Sequence, residues 1–577
     1  MSTSRFFNAV TAVAVAFALL TASVMFYFSG QEAAEAMAQV RKMPYARIFD
    51  RFQVMQVEIG ISEEDWADML SNPLEEEYKH CDVTVNGTVY EDAAIRTKGN
   101  TSLSQVASGD SDRYSFKIEF DHYDKNKSME GLDKLVLNNL FCDASYVKEY
   151  IAYDIFRYMG VETPYYAFAD ISVNGENVGC YIALEAMEDS FLERVYGGRG
   201  KLYKPESDRV GGFGKAGRAE LPEGMELPEG MGLPEGMGLP EGMGLPEGME
   251  LPEGMELPER TGRKGTEVPE NRGLRESKAE SGNTESPKGT AEWENGEKTE
   301  QQERSGPSER RGLPVHGEFT GNENRQRGME EKGGGSDLVY VDDNPDSYKD
   351  IFDNASFSIT KEDKQRVIKA LEKLSQGEEL DRYVDVDACL RYFAAQTFIV
   401  NMDSYYGNLK HNYYLYERDG QLTILPWDLN LAFGGFQEKD ATEAVNSAID
   451  TPMDGLEENR PLFSRMMETE EYRELYHEYL NEIAENYVGS GQAAATLAQI
   501  NSLITPYVKE DATAFYSYPE FTEAIAALEI FLQLRAESVE KQLSGEIPST
   551  YEERSADTAF VDASHISLST MGVQGGR

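Results

Sequence analysis

Apolar and polar residues alternate over Asp82–Tyr90 around Asn86-Gly87, which predicts a β-hairpin. Ser115–Phe120 has the same period and is a second strand region. Ala167–Val173 and Val178–Leu184 form another hairpin pattern, turned by Asn174-Gly175. Asn412–Glu417 and Gln421–Leu425 repeat it around Asp419-Gly420. Helical spacing appears elsewhere. Val147, Ile151, Ile155 and Tyr158 recur on one face, so Asp143–Met159 reads as a helix, with Asp143 or Ser145 as N-cap and Gly160 as stop. Thr360–Leu374 opens on a Thr360…Asp363 capping pattern, and Asp387–Ile399 is an apolar helix. From Pro461 the chain is helical to about Gly545, and residues 546–577 carry no period and read as a disordered tail. Strands come early and helices late, so the fold class is α+β.

The middle of the chain breaks this pattern. A hexapeptide L-P-E-G-M-[E/G] runs six times from Leu221 and closes on Leu257-Pro258-Glu259-Arg260. A proline every six residues is incompatible with helix and with central strand. The stretch that follows is polar and Gly-rich, with too little apolar surface to offset its ordering entropy. Residues 207–335 are therefore expected to be a disordered insertion, dividing one domain into parts at 40–206 and 336–545. At the other end, Arg5 precedes an uncharged apolar run, Ala9–Phe28. A spanning helix needs about 20 residues and a secretory core roughly 7–15. Residues 1–30 thus read as a membrane anchor, and Arg5 against Glu32 and Glu35 places the body outside. The alternative is a cleaved signal peptide ending near Ala36-Met37-Ala38; either way the protein is exported.

Charge narrows the partners. The 577 residues carry a formal net charge of −48, which disfavours nucleic acid and favours basic partners. The four cysteines are scattered, and Cys142 and Cys180 read as buried free thiols. The six histidines form no ligand motif. Gly211-Gly212-Phe213-Gly214-Lys215 lacks the spacing of a phosphate loop.

Chemistry concentrates in Asn401–Gly434. Asp403 enters the Asp419-Gly420 hairpin and Asp428 leaves it, so both carboxylates are expected at one edge, on solvent-accessible loops. Two acids and an Asn suit a hard cation such as Mg²⁺. Protein kinases share this layout: a catalytic Asp, an Asn five residues on, a hairpin, then a metal-binding Asp. Asp403 and Asn408 have that spacing, although no H-R-D or D-F-G is present. The plainer reading is a turn-capping Asp403 and a loop acid at 428. Arg96-Thr97-Lys98-Gly99-Asn100-Thr101-Ser102 follows a strand and can present charge and amide N–H groups to phosphate. Lys117 on the next strand reaches the same region, with Glu185 as its orienting acid. The plainer readings are a polar hairpin loop and a surface acid.

In these segments the chain resembles the CotH kinase family. The resemblance rests on R-T-K-G-N-T-S at Arg96–Ser102, Y-S-F-K-I-E-F at Tyr114–Phe120 and V-N-G-E-N-V-G-C-Y at Val173–Tyr181. It continues in L-Y-K at Leu202–Lys204, D-L-V-Y at Asp337–Tyr340 and N-M-D at Asn401–Asp403. H-N-Y-Y-L-Y at His411–Tyr416 and P-W-D-L-N at Pro426–Asn430 complete it. It implies a divergent protein-kinase-like fold and ATP- and Mg²⁺-dependent phosphorylation of Ser or Thr on secreted, cell-surface or spore-coat proteins. By resemblance, Asp403 is the catalytic acid and Asp428 the metal ligand. Asn412 matches the family's Asn, and Asn408 only the general kinase spacing. Trp427, Arg96, Lys98 and Lys117 would line the nucleotide site. One departure is Asn430, where family members often carry a second Asp. The competing class is a catalytically idle surface module with a kinase-like fold.

Because loop-closure entropy grows slowly with length, excising residues 207–335 should shift the melting temperature little. A deletion variant that does not fold would contradict the insertion reading.

Overall fold

Strand β1 (Met55–Ile61) alternates buried and exposed residues along its whole length, as one face of a curved sheet requires. It pairs antiparallel with β2 (Lys79–Val85), which pairs with β3 (Thr88–Lys98) across Asn86-Gly87. β4 (Ser115–Glu119), β5 (Lys134–Asn138), β7 (Glu176–Glu185) and β6 (Tyr166–Val173) continue the order, and β6 closes a barrel by pairing parallel with β1. Ile59, Val83, Ile95, Phe116, Leu135 and Tyr181 pack its interior. The β5-β7-β6 wall is buried on both faces, because Val136, Ile182 and Phe168 pack outward against helices. These coordinates are a computed structural model, which describes residues 43–206, 334–438, 440–453 and 455–574.

The first helix on that outer face, α1 (Lys148–Tyr158), starts later than the periodicity predicts. The Asp143 carboxylate accepts from Ser145 N, Ser145 Oγ and Lys148 N, so residues 143–146 form a turn with Tyr146 at φ 63°. Gly160, at φ 75°, stops the helix as expected. α2 (Lys361–Gln376) carries the anticipated capping box, with Asp363 N to Thr360 Oγ1 at 3.2 Å and Thr360 N to Asp363 Oδ2 at 2.7 Å. α3 (Val386–Phe398), α4 (Glu470–Asn481), α5 (Gln492–Glu510) and α6 (Tyr518–Leu543) form the helical half. The class is therefore α+β.

A second sheet joins the two flanks. β8 (Lys201–Tyr203), before the repeat, pairs with β9 (Tyr413–Arg418), after it, and β9 pairs with β10 (Gln421–Pro426). The repeat and the apolar run at 9–28 lie outside the described residues. Among the described residues, no helix is long and apolar enough to cross a membrane. All four cysteines are buried and none is in a disulfide.

Two expectations are corrected. Gly334 and Gly335, assigned to the insertion, already belong to the fold: Gly334 O accepts from Asp350 N and Gly335 O from Leu338 N, both at 2.9 Å. The tail is not loose as far as Gln574. Ile547, Val561, Ala563, Leu568 and Met571 are buried. Val561 N donates to Asn446 Oδ1 and Ala563 N to Thr442 Oγ1, each at 3.1 Å. An irregular segment of turns and one short 3-10 helix, anchored by scattered apolar residues and by bonds to distant side chains, leaves no period in the sequence.

The barrel is tied to the helical half by a buried ion pair. Arg113 Nη1 meets Asp511 Oδ2 at 2.6 Å, and that oxygen also accepts from Cys180 N at 3.0 Å. Removing one partner of such a pair strands the other in a dry interior. Arg113→Met should cost about 3–5 kcal/mol in chemical denaturation. Lys125→Met, at a side chain 72% exposed, should change stability by less than about 1 kcal/mol.

Candidate active site

Strand alternation decides which side chains reach the cavity. Arg96 and Lys117 are directly opposed across β3 and β4, and Lys98 lies two residues from Arg96. Ile95, Phe116 and Ile118 point into the barrel, so Arg96, Lys98 and Lys117 point out of it. They line a cavity of about 780 Å³ between the barrel and the second sheet. Gly99, at φ 131°, turns the chain so that Asn100, Thr101 and Ser102 also border it.

Each cation is held. Arg96 Nη1 pairs with Glu76 and donates to Thr97 O at 2.9 Å. Lys98 Nζ donates to Asn138 Oδ1 at 2.8 Å. Lys117 Nζ meets Glu188 Oε1 at 2.6 Å, and Lys134 pairs with the same carboxylate.

The expected Lys117–Glu185 pair does not form. Glu185 is paired in register with the inward-facing Leu135, whereas Lys117 is paired with the outward-facing Val136. Opposite faces of one sheet separate the two. Glu185 instead binds Arg194 at 2.6 Å and accepts from Tyr45 OH at 2.5 Å. Glu188, three residues on and past the strand end, takes the position assigned to it.

The opposite wall comes from the β9–β10 hairpin. Tyr413 and Pro426 are its last cross-strand pair, so Asn412, Trp427 and Asp428 emerge together. Asp403, in the loop after α3, is fastened to the same edge. His411 Nε2 lies 2.6 Å from its Oδ1, and Asn412 Nδ2 donates to its Oδ2 at 2.9 Å and to its backbone O at 3.0 Å. Asp403 is thus buried, at 7% exposure, and not on the open loop expected. Gly407 makes the loop possible, because a Cβ there would collide with the Met402 carbonyl. Asn408 is exposed and does not line the cavity, whereas Asn412 does. Asn412 and Asp428 both sit at positive φ, 54° and 55°, a costly backbone found at sites held by their surroundings. Trp427 stands edge-on to Tyr414, with ring centroids 5.6 Å apart, and both rings line the cavity beside Val136, Ala186 and Met187.

Between the walls lies a residue the sequence reading missed. Glu149, in the first turn of α1, is fully buried and accepts from Asn138 Nδ2 at 3.2 and 3.0 Å. Burial first, and then the Asp428 carboxylate, push its carboxyl well above the usual range, while Asn138 and Lys98 act against this. Burial likewise pushes the Lys98 ammonium down, against the pull of Asp428 and Glu149. Two carboxyl groups drawn together without enough positive charge fit a divalent cation, and a desolvated lysine beside them fits a phosphate. Asn412 spends its N–H donors on Asp403, so its Oδ1 is the atom left for a cation. Among the described residues no cluster of three or more His, Cys, Asp or Glu is placed to hold a metal ion alone, so phosphate oxygens or water would complete the ligand set. Nothing in the sequence flagged Glu149, which sits in an otherwise core-facing helix. His411 opens the quoted H-N-Y-Y-L-Y motif and Glu188 lies three residues past Glu185, but neither was singled out.

The barrel cations thus face, across one cavity, a hairpin that carries Asp428 and has Asp403 fastened to its edge. Residues 95–229 and 322–539 match the family described as CotH kinase protein, and the chain belongs to that family. A search of curated proteins finds no match.

The Glu149 geometry generates a pH prediction. In metal-free protein the folded state keeps the Glu149 proton at pH values where the unfolded chain has released it. The unfolded state then binds fewer protons, so stability falls as pH climbs out of the usual carboxylate range. Melting temperatures recorded against pH with a chelator should show that fall. Glu149→Gln should make that fall shallower, the rest coming from other carboxyls that burial raises, such as Asp133, and Mg²⁺ should oppose it in the wild type.

Proposed function

We propose that the protein is a kinase that uses ATP and a divalent cation, Mg²⁺, to phosphorylate Ser or Thr side chains of exported proteins. The observation that carries this reading is the confrontation, across one cavity, of Arg96, Lys98 and Lys117 with Asp403, Asp428 and Glu149. In its support, the aromatic and aliphatic wall of Trp427, Tyr414, Val136 and Met187 offers a flat face to a purine, while the three cations face the polyphosphate.

Asp428, Asn412 and Glu149 are the oxygen donors for the cation. These three residues would hold a divalent cation, which when bound would supply positive charge against the phosphates. Lys98 and Lys117, fixed by Asn138 and Glu188, hold phosphate oxygens without moving. Asp403 is oriented by His411 and Asn412 and takes the proton of the attacking hydroxyl. The phosphoryl group then joins the acceptor oxygen, and ADP carries away the displaced charge. Family membership and the facing of cations and acids across one cavity support a protein-kinase-like fold within this reading.

The acceptors in this reading are secreted, cell-surface or coat proteins that are basic and Ser/Thr-rich, in keeping with a catalyst of net charge −48. Export rests on the apolar run Ala9–Phe28, as an anchor or as a secretion signal.

The test separates the acids by role. Asp428→Asn should weaken Mg²⁺-nucleotide binding, because it removes a charged ligand. Asp403→Asn should leave binding largely intact and lower turnover by about 10²–10⁴-fold. Labelled-ATP transfer to a basic Ser-containing peptide reads turnover, and a fluorescent nucleotide reads affinity. Wild-type protein that binds no nucleotide would favour a binding module instead.

A further inference from the structure

The segment at the end of the described chain touches two of the elements that carry the acids. On one side it meets the entry to α1. The fully buried Lys148 donates from Nζ to Cys142 O at 2.8 Å and to Gly572 O at 2.6 Å. Ala144 N donates to Met571 O at 3.1 Å. The approach is so close that a Cβ on Gly572 would lie 2.6 Å from Cys142 O and 2.9 Å from Ala144 N. Lys148 immediately precedes Glu149.

On the other side the segment meets the loop that follows Asp428. Gln574 N donates to Gly435 O at 3.0 Å. Leu568 is buried against Gly434, where a Cβ would lie 3.2 Å from Leu568 Cδ2. Gly434 N in turn donates to Val400 O at 3.1 Å, just ahead of Asp403. Gln574 itself lines the cavity, together with Cys142 and Leu431.

A buried ammonium whose two acceptors are carbonyls from separate segments is a cross-link and not a surface ornament. We propose that Leu568–Gln574 is a strap that sets the spacing between Glu149 and Asp428, with Lys148 as its positioning residue. The strap is thus an outer-shell component of the cation and nucleotide site, and this inference rests on the kinase reading above. Its role differs from that of the Glu149 and Asp428 oxygens: it touches neither cation nor nucleotide through Lys148, and it acts on the distance between the two acids. Outer-shell partners of metal ligands are worth about 10–100-fold in metal affinity when removed.

The experiment compares full-length wild type with Lys148→Met and Gly572→Val, and with a chain ended after Ser567. Mn²⁺ binding and Mg²⁺-dependent fluorescent-nucleotide binding are titrated, and hydrogen exchange is followed over residues 142–149 and 431–436. Melting curves confirm that the two point variants are folded. The expected result is cation and nucleotide affinity lowered by about tenfold or more in both point variants. Exchange should rise in the two monitored segments, and kcat at saturating Mg²⁺ and ATP should fall less than affinity does. Wild-type affinity in the point variants and in the shortened chain would overturn the strap while leaving the kinase reading intact. Wild-type protein that binds neither Mn²⁺ nor nucleotide would overturn both.

Discussion

The site depends on an unbalanced charge. Glu149 and Asp428 are brought together in a buried setting with Lys98 and Asn138 as their immediate counterweights. Desolvation opposes ionisation at Glu149 and at Lys98 alike, so both sides of the cavity favour a counter-charge. A divalent cation would relieve the first and a phosphate the second. The surrounding fold holds these groups at close quarters although each alone would move away or lose its charge.

The Asp403 loop on the facing wall is held by buried arginines acting on backbone. Arg535, without exposure to solvent, donates to Thr397 O at 2.9 Å and Phe398 O at 3.3 Å, at the C-terminus of α3, and to Ser447 O at 2.7 Å. Burial pushes its guanidinium down to about 10. Arg460 donates to Tyr405 O at 2.6 Å and Gly407 O at 2.5 Å. The Asp403 loop is therefore gripped at its entry by one guanidinium and along its turn by the other. Carbonyls at a helix end are the natural acceptors for such a cation, because the helix dipole is negative there.

The barrel contributes through parity. Its alternation sends one set of side chains into a sealed core and the next set to the cavity, so cations at positions 96, 98 and 117 arrive on one face without individual steering. The same parity excludes Glu185, which is one register step from the face where it was expected, and hands its role to Glu188. A structural acid and a site acid thus lie three residues apart in one Glu-Ala-Met-Glu run.

The local elements were legible in the sequence because their causes are local. Asn-Gly and Asp-Gly turns set the hairpins, Thr360 and Asp363 capped their helix, and the open ends of β9 and β10 brought Asn412, Trp427 and Asp428 together. The placing of Asn412 and not Asn408 on the cavity wall, the burial of Asp403, the placing of Glu149 beside Asp428, the face taken by Glu185 and the ordering of the chain to Gln574 were decided by tertiary structure alone. Each depends on which distant segment lies opposite, and a contact such as Lys148 with Gly572 joins residues whose separation in the chain leaves no pattern to read. Periodicity records how a segment meets its own neighbours; which other segment completes the site depends on how the barrel, the hairpin and the helices pack.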